Sequence, residues 1–266
     1  MAIGYKNYRI RYDYHTHTVF SHGKGTIEEN VKAAIENGLA GIAITDHGPG
    51  HLTYGIKREN IPVMRAEIER LKLIYPEIQL LLGIEANIID KDNNLDITKD
   101  EAKLFDCVLA GYHFGVMNAY SLGNFGINMV RKIVKKPSAS DGARVADGAR
   151  VADGAGGAML NKNTKMVIKA IMENDIKILT HPGDKADFDI LKIGEACASR
   201  GTLMEISSWH EHLNIEELKI LAKTKVKFVV SSDAHKPGRI GDCSDAIKRA
   251  LDAGIDMSRI VNIEEY

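Results

Sequence analysis

The chain has few cysteines and no excess of either charge, and both absences narrow its class. Cys107, Cys197 and Cys243 are its 3 cysteines in 266 residues, and none forms a C-x-x-C pair. That is too little for a disulfide framework. Cys107 lies inside an apolar run and reads as packing rather than chemistry. Lys and Arg number 35 against 36 Asp and Glu, a formal net charge of −1. A protein held on nucleic acid by charge alone carries a basic excess, so that class is disfavoured. No run of 18 apolar residues occurs, so no membrane span is expected. Met1 to Tyr12 is charged and lacks an apolar core region, so no secretory signal is read. No G-x-G-x-x-G follows a strand-like run, which leaves a dinucleotide fold without support. These absences together predict a soluble, cytoplasmic protein of a reducing compartment.

What the chain does have is histidine in one place. His15, His17 and His22 lie within Asp13-Tyr14-His15-Thr16-His17-Thr18-Val19-Phe20-Ser21-His22. The run Tyr8-Arg9-Ile10-Arg11-Tyr12 before them is rich in β-formers and predicts a strand. Positions i and i+2 of a strand share a side, so His15 and His17 can aim at one point, and neutral imidazole is the commonest side-chain metal ligand. Alone, an H-x-H pair is explained as well by a solvated strand. Its meaning depends on what other strands deliver.

A repeated pattern supplies the answer. Thr26-Ile27-Glu28-Glu29 has the form of a capping box, and its helix leads to Gly41-Ile42-Ala43-Ile44-Thr45, which exits at Asp46-His47. A helix from about Arg58 to Tyr75 leads to the run Gln79–Ile84, which exits at Glu85. A segment around Lys99 to Leu104 leads to Cys107–Tyr112, which exits at His113. Lys165 to Asn174 leads to Ile176–Thr180, which exits at His181. Ile190 to Ser199 leads to Thr202-Leu203-Met204 and Glu205. Ile215 to Lys223 leads to Val226–Ser232, which exits at Asp233-Ala234-His235. Alternating helices and buried strands predict a parallel sheet covered by helices. Only a ring brings six polar strand exits to one centre, so a closed α/β barrel of TIM type is expected over an open sheet, with its site at the C-terminal ends of the strands.

One stretch departs from the pattern. Asp141-Gly142-Ala143-Arg144-Val145-Ala146 recurs as Asp147 to Ala152 and, degenerately, as Asp153 to Ala158. So few copies of so short a unit cannot stack into a core, and residues around 137–158 read as a low-complexity loop within a single domain spanning 1–266. Deleting Asp141–Ala152 is expected to leave folding and metal content unchanged, as circular dichroism and metal analysis would test.

The strand exits together offer His15, His17, His22, His47, Glu85, His113, His181, Asp233 and His235. Each alone could cap a helix or fill a turn, but jointly they would be accidents at six strand ends. Nine donors are too many for one tetrahedral zinc, and Glu85 is the carboxylate placed to bridge. Imidazole and carboxylate without thiolate suit Zn²⁺, Mn²⁺ or Fe²⁺. The motifs His15-Thr16-His17-Thr18, Ile44-Thr45-Asp46-His47-Gly48-Pro49, Gly83-Ile84-Glu85-Ala86-Asn87, Ala110-Gly111-Tyr112-His113, Thr180-His181-Pro182-Gly183 and Ser232-Asp233-Ala234-His235 resemble, in order, those of the PHP (polymerase and histidinol phosphatase) family. Their wording is similar in particular to its stand-alone, YcdX-like phosphatase branch.

The resemblance implies a distorted seven-stranded (β/α)7 barrel with a trinuclear metal centre, most simply three Zn²⁺. His15, His17, Glu85 and Asp233 would hold one metal, His22, His47 and His235 the second, and Glu85, His113 and His181 the third. The departures are the long segment between His113 and His181 and a His17-to-His22 spacing that differs by one residue. The expected reaction is hydrolysis of a phosphate monoester of a small metabolite by a metal-activated hydroxide. Asp233 is a candidate to pass the proton, and Lys236 and Arg239 to hold phosphate or a substrate carboxylate. His51, His210, His212 and Glu205 read as surface residues or as groups that orient a ligand. Histidinol phosphatase is the nearest alternative, although the Ile-Thr-Asp-His-Gly-Pro wording leans away from it. A polymerase-associated nuclease or metal-binding module fits poorly with the absent basic excess. An amidohydrolase would use the same donors on a carbonyl.

Overall fold

The computed structural model describes residues 5–116 and 155–266. Its frame is a seven-stranded parallel sheet, every strand pairing with its neighbours in chain order. The strands are β2 (Tyr12–Asp13), β3 (Gly41–Ile44), β4 (Gln79–Asn87), β5 (Cys107–Gly111), β6 (Ile178–Leu179), β7 (Leu203–Ser207) and β8 (Phe228–Ser231). Between and after them run α1 (Ile27–Glu36), α2 (Ile61–Ile74), α3 (Lys99–Ala102), α4 (Ala155–Glu173), α5 (Ile190–Arg200), α6 (Ile215–Ala222) and α7 (Ser244–Asp252). The expected (β/α)7 barrel is therefore present. Among the described residues, no helix is long and apolar enough to cross a membrane.

Strand alternation explains how one barrel carries both an apolar floor and a polar top. Leu109, Ile178 and Val229 form a small buried cluster with Tyr14, Cys107 and Leu203 against it. Two residues further along each strand, on the same face, stand Gly111, Thr180, Ser231 and Glu205. Glu85 pairs in register with Leu109, and Glu205 with Val229. The intervening residues, among them Ile84, Ala110, Met204, Ile206 and Val230, belong to the large core shared with the helices. On α4 that core takes Met166, Val167, Ala170 and Ile171, the one-sided stripe of an amphipathic helix.

The ring closes without a ladder between its first and last strands. Thr16 bridges Ala234, and His17 N donates to Ala234 O at 2.9 Å. Below that point the buried side chain of Asn262 fills the gap. Its Nδ2 donates to Tyr12 O (2.7 Å) and Val230 O (2.6 Å), and its Oδ1 accepts from Val230 N (3.0 Å). Asp13, also buried, accepts from Ser232 N (3.2 Å), Ser232 Oγ (2.5 Å) and Gly241 N (2.9 Å). Two side chains thus do the work of a strand pairing.

Several boundaries differ from the sequence reading. The run Tyr8–Tyr12 is not one strand. Tyr8–Ile10 is β1, antiparallel to β9 (Ile263–Glu265) in a separate two-stranded sheet, and the chain changes partner at Arg11. Arg9 and Arg11 both pair with Glu264 (2.5 and 3.0 Å), largely exposed contacts that hold register more than they stabilise. Strand β4 runs on to Asn87, so Glu85 lies inside it rather than at its exit. Helix α4 begins at Ala155, ten residues before the periodic stretch that announces it, so the last residues assigned to the repeat loop are helical. The remainder of that loop lies outside the described residues. The capping box at Thr26 and Glu29 forms as expected.

Candidate metal centre

Glu85 is fully buried and stands at the centre of a ring of imidazoles. Its Oε1 lies 3.0 Å from His181 Nε2 and 3.3 Å from His113 Nε2. Its Oε2 lies 2.8 Å from His47 Nδ1, 3.3 Å from His15 Nε2 and 3.8 Å from His17 Nε2. One carboxylate oxygen therefore serves each side of the cluster. Thr180 Oγ1 donates to Oε1 at 2.6 Å, and the space beside it exists because residue 111 is glycine. A Cβ there would sit 2.4 Å from Thr180 Oγ1 and 2.9 Å from Glu85 Oε1.

Across the seam, Asp233 Oδ1 is 3.1 Å from His17 Nε2 and 3.6 Å from His15 Nε2. His22 reaches the same cluster despite its unusual spacing, its ring centroid 4.2 Å from that of His235 and 4.8 Å from that of His47. The structure thus brings all nine expected donors together. Their closest groupings are His15, His17 and Glu85; His17, His47 and His235; and His47, Glu85 and His113. His17 and His47 each belong to two groups, so the donors overlap more than a clean division among metals suggests.

Some of the donors hydrogen-bond one another, as His181 Nε2 does Glu85 Oε1 and His17 Nε2 does Asp233 Oδ1, but others have no partner. His17 Nδ1, His22 Nδ1, His47 Nδ1, His113 Nε2 and Glu85 Oε2 are buried without a hydrogen-bond partner. His47 Nδ1 and Glu85 Oε2 approach closely but without the alignment of a hydrogen bond. His15 Nε2 and His17 Nε2 lie 3.1 Å apart. Buried polar atoms are otherwise almost always paired, and lone pairs converging in this way are what a bound cation would satisfy. On three of the histidines the second ring nitrogen is occupied. His235 Nδ1 donates to Asp233 O (2.9 Å), His113 Nδ1 to Asn87 Oδ1 (2.8 Å), and His15 Nδ1 to Glu205 Oε1 (2.6 Å). Each such bond leaves Nε2 as the free lone pair, the usual arrangement for a metal-binding histidine.

Burial lowers the pKa of His22 to about 3, with His235 and His47 adding to the effect. It also lowers His235 and takes His17 well below its usual range. Neutral imidazole is the form that binds metal. Burial opposes ionisation at Asp233 and Glu85, but the surrounding histidines outweigh it and hold both carboxyls well below their usual range. His181 and Asp233 adopt positive φ values of 27° and 48°. Non-glycine residues rarely do so, and such strain concentrates at functional sites.

Three carboxylates outside the expected ligand set hold the donor-bearing loops. Asp46 accepts from Thr18 N (2.7 Å), Thr18 Oγ1 (2.6 Å) and Ser21 Oγ (2.5 Å), tying the loop before His22 to the exit of β3. Asp96 accepts from Asn87 N, Asn87 Nδ2 and Gly50 N, and so fixes the amide that orients His113. Glu205 binds His15, Ser231 Oγ and His181 N, which is the orienting role expected of it. Asp46 adjoins a motif histidine, a signal within reach of sequence. Asp96 carries none.

Of the remaining expected residues, Arg239 stacks over Trp209 (5.4 Å) and pairs with Asp242 (3.3 Å), while Trp209 lies 5.5 Å from the His235 ring. Lys236 is exposed beside His235. His51 stacks between His47 and Tyr54. His212 pairs with Glu217 near the start of α6. His210 touches both Asp184 and Asp233 at 3.2 Å. Burial disfavours its charge, but the two carboxylates prevail and raise its pKa to about 9.

Residues 13–154 match the family model described as the PHP domain. The chain belongs to the PHP domain family. It is 30% identical to a Thermoanaerobacter pseudethanolicus protein named "Probable phosphatase", over 96% of this chain and 93% of that one. Among solved structures it resembles histidinol phosphate phosphatase from Lactococcus lactis, determined with zinc, L-histidinol and phosphate (TM-score 0.58, 18% identity, 91% of this chain and 92% of that chain). It also resembles a Listeria monocytogenes protein described as a histidinol phosphatase (TM-score 0.62, 15% identity, 86% and 97%). At these identities the structural likeness is one of fold, and it places this PHP chain among TIM-like barrels.

Proposed function

We propose that this PHP-family hydrolase of phosphate esters cleaves phosphate monoesters of small metabolites at a centre of three divalent metals, with zinc the first choice. The observation that carries the reading is the split of Glu85, one oxygen toward His113 and His181 and the other toward His15, His17 and His47. His15, His17, Glu85 and Asp233, then His22, His47 and His235, then His113 and His181 with Glu85 shared, would hold the three ions. Bound divalent metals would lower the pKa of water and neutralise charge on the phosphoryl oxygens.

The chain's own residues supply orientation. Glu205 and Asn87 fix the rings of His15 and His113, and Asp233 would pass a proton to the leaving oxygen. Lys236, next to His235 in the chain, and Arg239, stacked on the Trp209 that neighbours His235, would hold the ester's anionic groups. L-Histidinol phosphate is the second reading, motivated by the Lactococcus protein that shares this fold.

The test is metal analysis of purified protein together with hydrolysis of a panel of phosphate esters. We expect about three divalent ions per chain, phosphate release from monoesters, and loss of that release on chelation with recovery on adding metal back. Fewer than two ions per chain would contradict the trinuclear reading. Release from L-histidinol phosphate far above that from p-nitrophenyl phosphate would select the second.

A further inference from the structure

Beyond the nine donors, the exit loop of β7 brings one more imidazole into the cluster. His210 Nε2 lies 3.2 Å from Asp233 Oδ2, and His210 Nδ1 lies 3.2 Å from Asp184 Oδ2. Lys185 Nζ contacts the same Asp184 oxygen. Asp233 therefore divides its two oxygens: Oδ1 faces His17 and His15, and Oδ2 faces His210. The loop that carries His210 is itself fastened. Arg249, on α7, donates to the carbonyl oxygens of Ser207, His210 and Glu211. Ser207 Oγ accepts from the backbone N–H groups of Trp209 and His210 (3.1 and 3.3 Å).

We propose that His210, backed by Asp184, is a positioning residue that aims Asp233 at its metal. The competing arrangement is a separate ion on His181, Asp184 and His210, whose donor atoms lie within 4.8 Å of one another. This inference rests on the metal-centre reading above.

The test measures metal retained per chain across a graded series of chelator concentrations, for the wild type, His210→Ala and Asp184→Asn. Far-UV circular dichroism and melting of the metal-free forms check folding. Asp184→Asn is nearly isosteric and half-buried, so it keeps the test open should His210→Ala unfold. We expect one of the bound ions to be lost at about 10–100-fold lower chelator strength in His210→Ala, the effect of removing a ligand's outer partner. The other ions should be retained, with a smaller shift in the same direction in Asp184→Asn. Retention equal to wild type in both variants overturns the inference, including where KM alone rises, which would make His210 a substrate contact. A wild-type stoichiometry above three that falls by a whole ion in the variants also overturns it, in favour of the separate site. A wild type that binds no metal overturns the metal-centre reading instead.

Discussion

Glu85→Ala is expected to lower phosphatase activity by about 10³-fold or more and to release more than one of the bound metals. Removing an outer partner of a metal ligand typically reduces affinity or activity 10–100-fold, and a carboxylate shared between ions should exceed that. Five candidate ligand histidines lie within 3.8 Å of its oxygens, so no neighbour can replace it. Glu85→Gln keeps the shape while removing the charge and one acceptor, and is expected to behave similarly. Metal content by mass spectrometry and steady-state kinetics provide the check. If activity and stoichiometry survive the alanine variant, Glu85 does not bridge.

The second large effect is on stability. Asn262→Ala deletes three hydrogen bonds across the gap between β2 and β8 and strands Tyr12 O, Val230 O and Val230 N, the last two buried. Each buried group left unpaired costs about 1–3 kcal/mol. Allowing for relaxation, a total of about 2–4 kcal/mol is expected. For a domain of this size that corresponds to a fall in Tm of roughly 5–15 °C. Asn262→Asp should be at least as damaging, because it loses both donors and sets a charge beside two carbonyls. Thermal melts of metal-free protein isolate the effect, and a shift below about 1 °C in both variants would show that the gap is closed by other means.

The barrel and its donors were legible for one reason. In a parallel strand buried on both faces, a polar residue at the C-terminal end interrupts an otherwise apolar run, and His47, His113, His181 and Asp233 do so visibly. Glu85 was found by the same signal although its strand continues past it. What could not be read is what depends on distant partners. The break at Arg11 arises because β1 pairs with β9, more than 250 residues away. Asn262 gives no local sign of its place between β2 and β8. For His210 the sequence leaves a surface role and an orienting role open, because the carboxylates beside it, Asp184 and Asp233, come from other loops. The start of α4 was hidden by a Gly- and Ala-rich composition that offers no apolar stripe until Met166.

The unladdered seam has a consequence for how metal supply would be felt by the fold. His15 and His17 stand on one side of it, and Asp233 and His235 on the other, so a cation shared by both sides is a cross-link. Its binding energy adds to closure of the ring by mass action, about 2.7 kcal/mol at a free concentration 100 times Kd. Local opening between β2 and β8, reported by hydrogen exchange at the amide of His17, would then track occupancy of the centre. With metal bound as proposed, the join without a ladder and the donor cluster would share one equilibrium, so depletion of metal would loosen the barrel where the sheet has no ladder of its own.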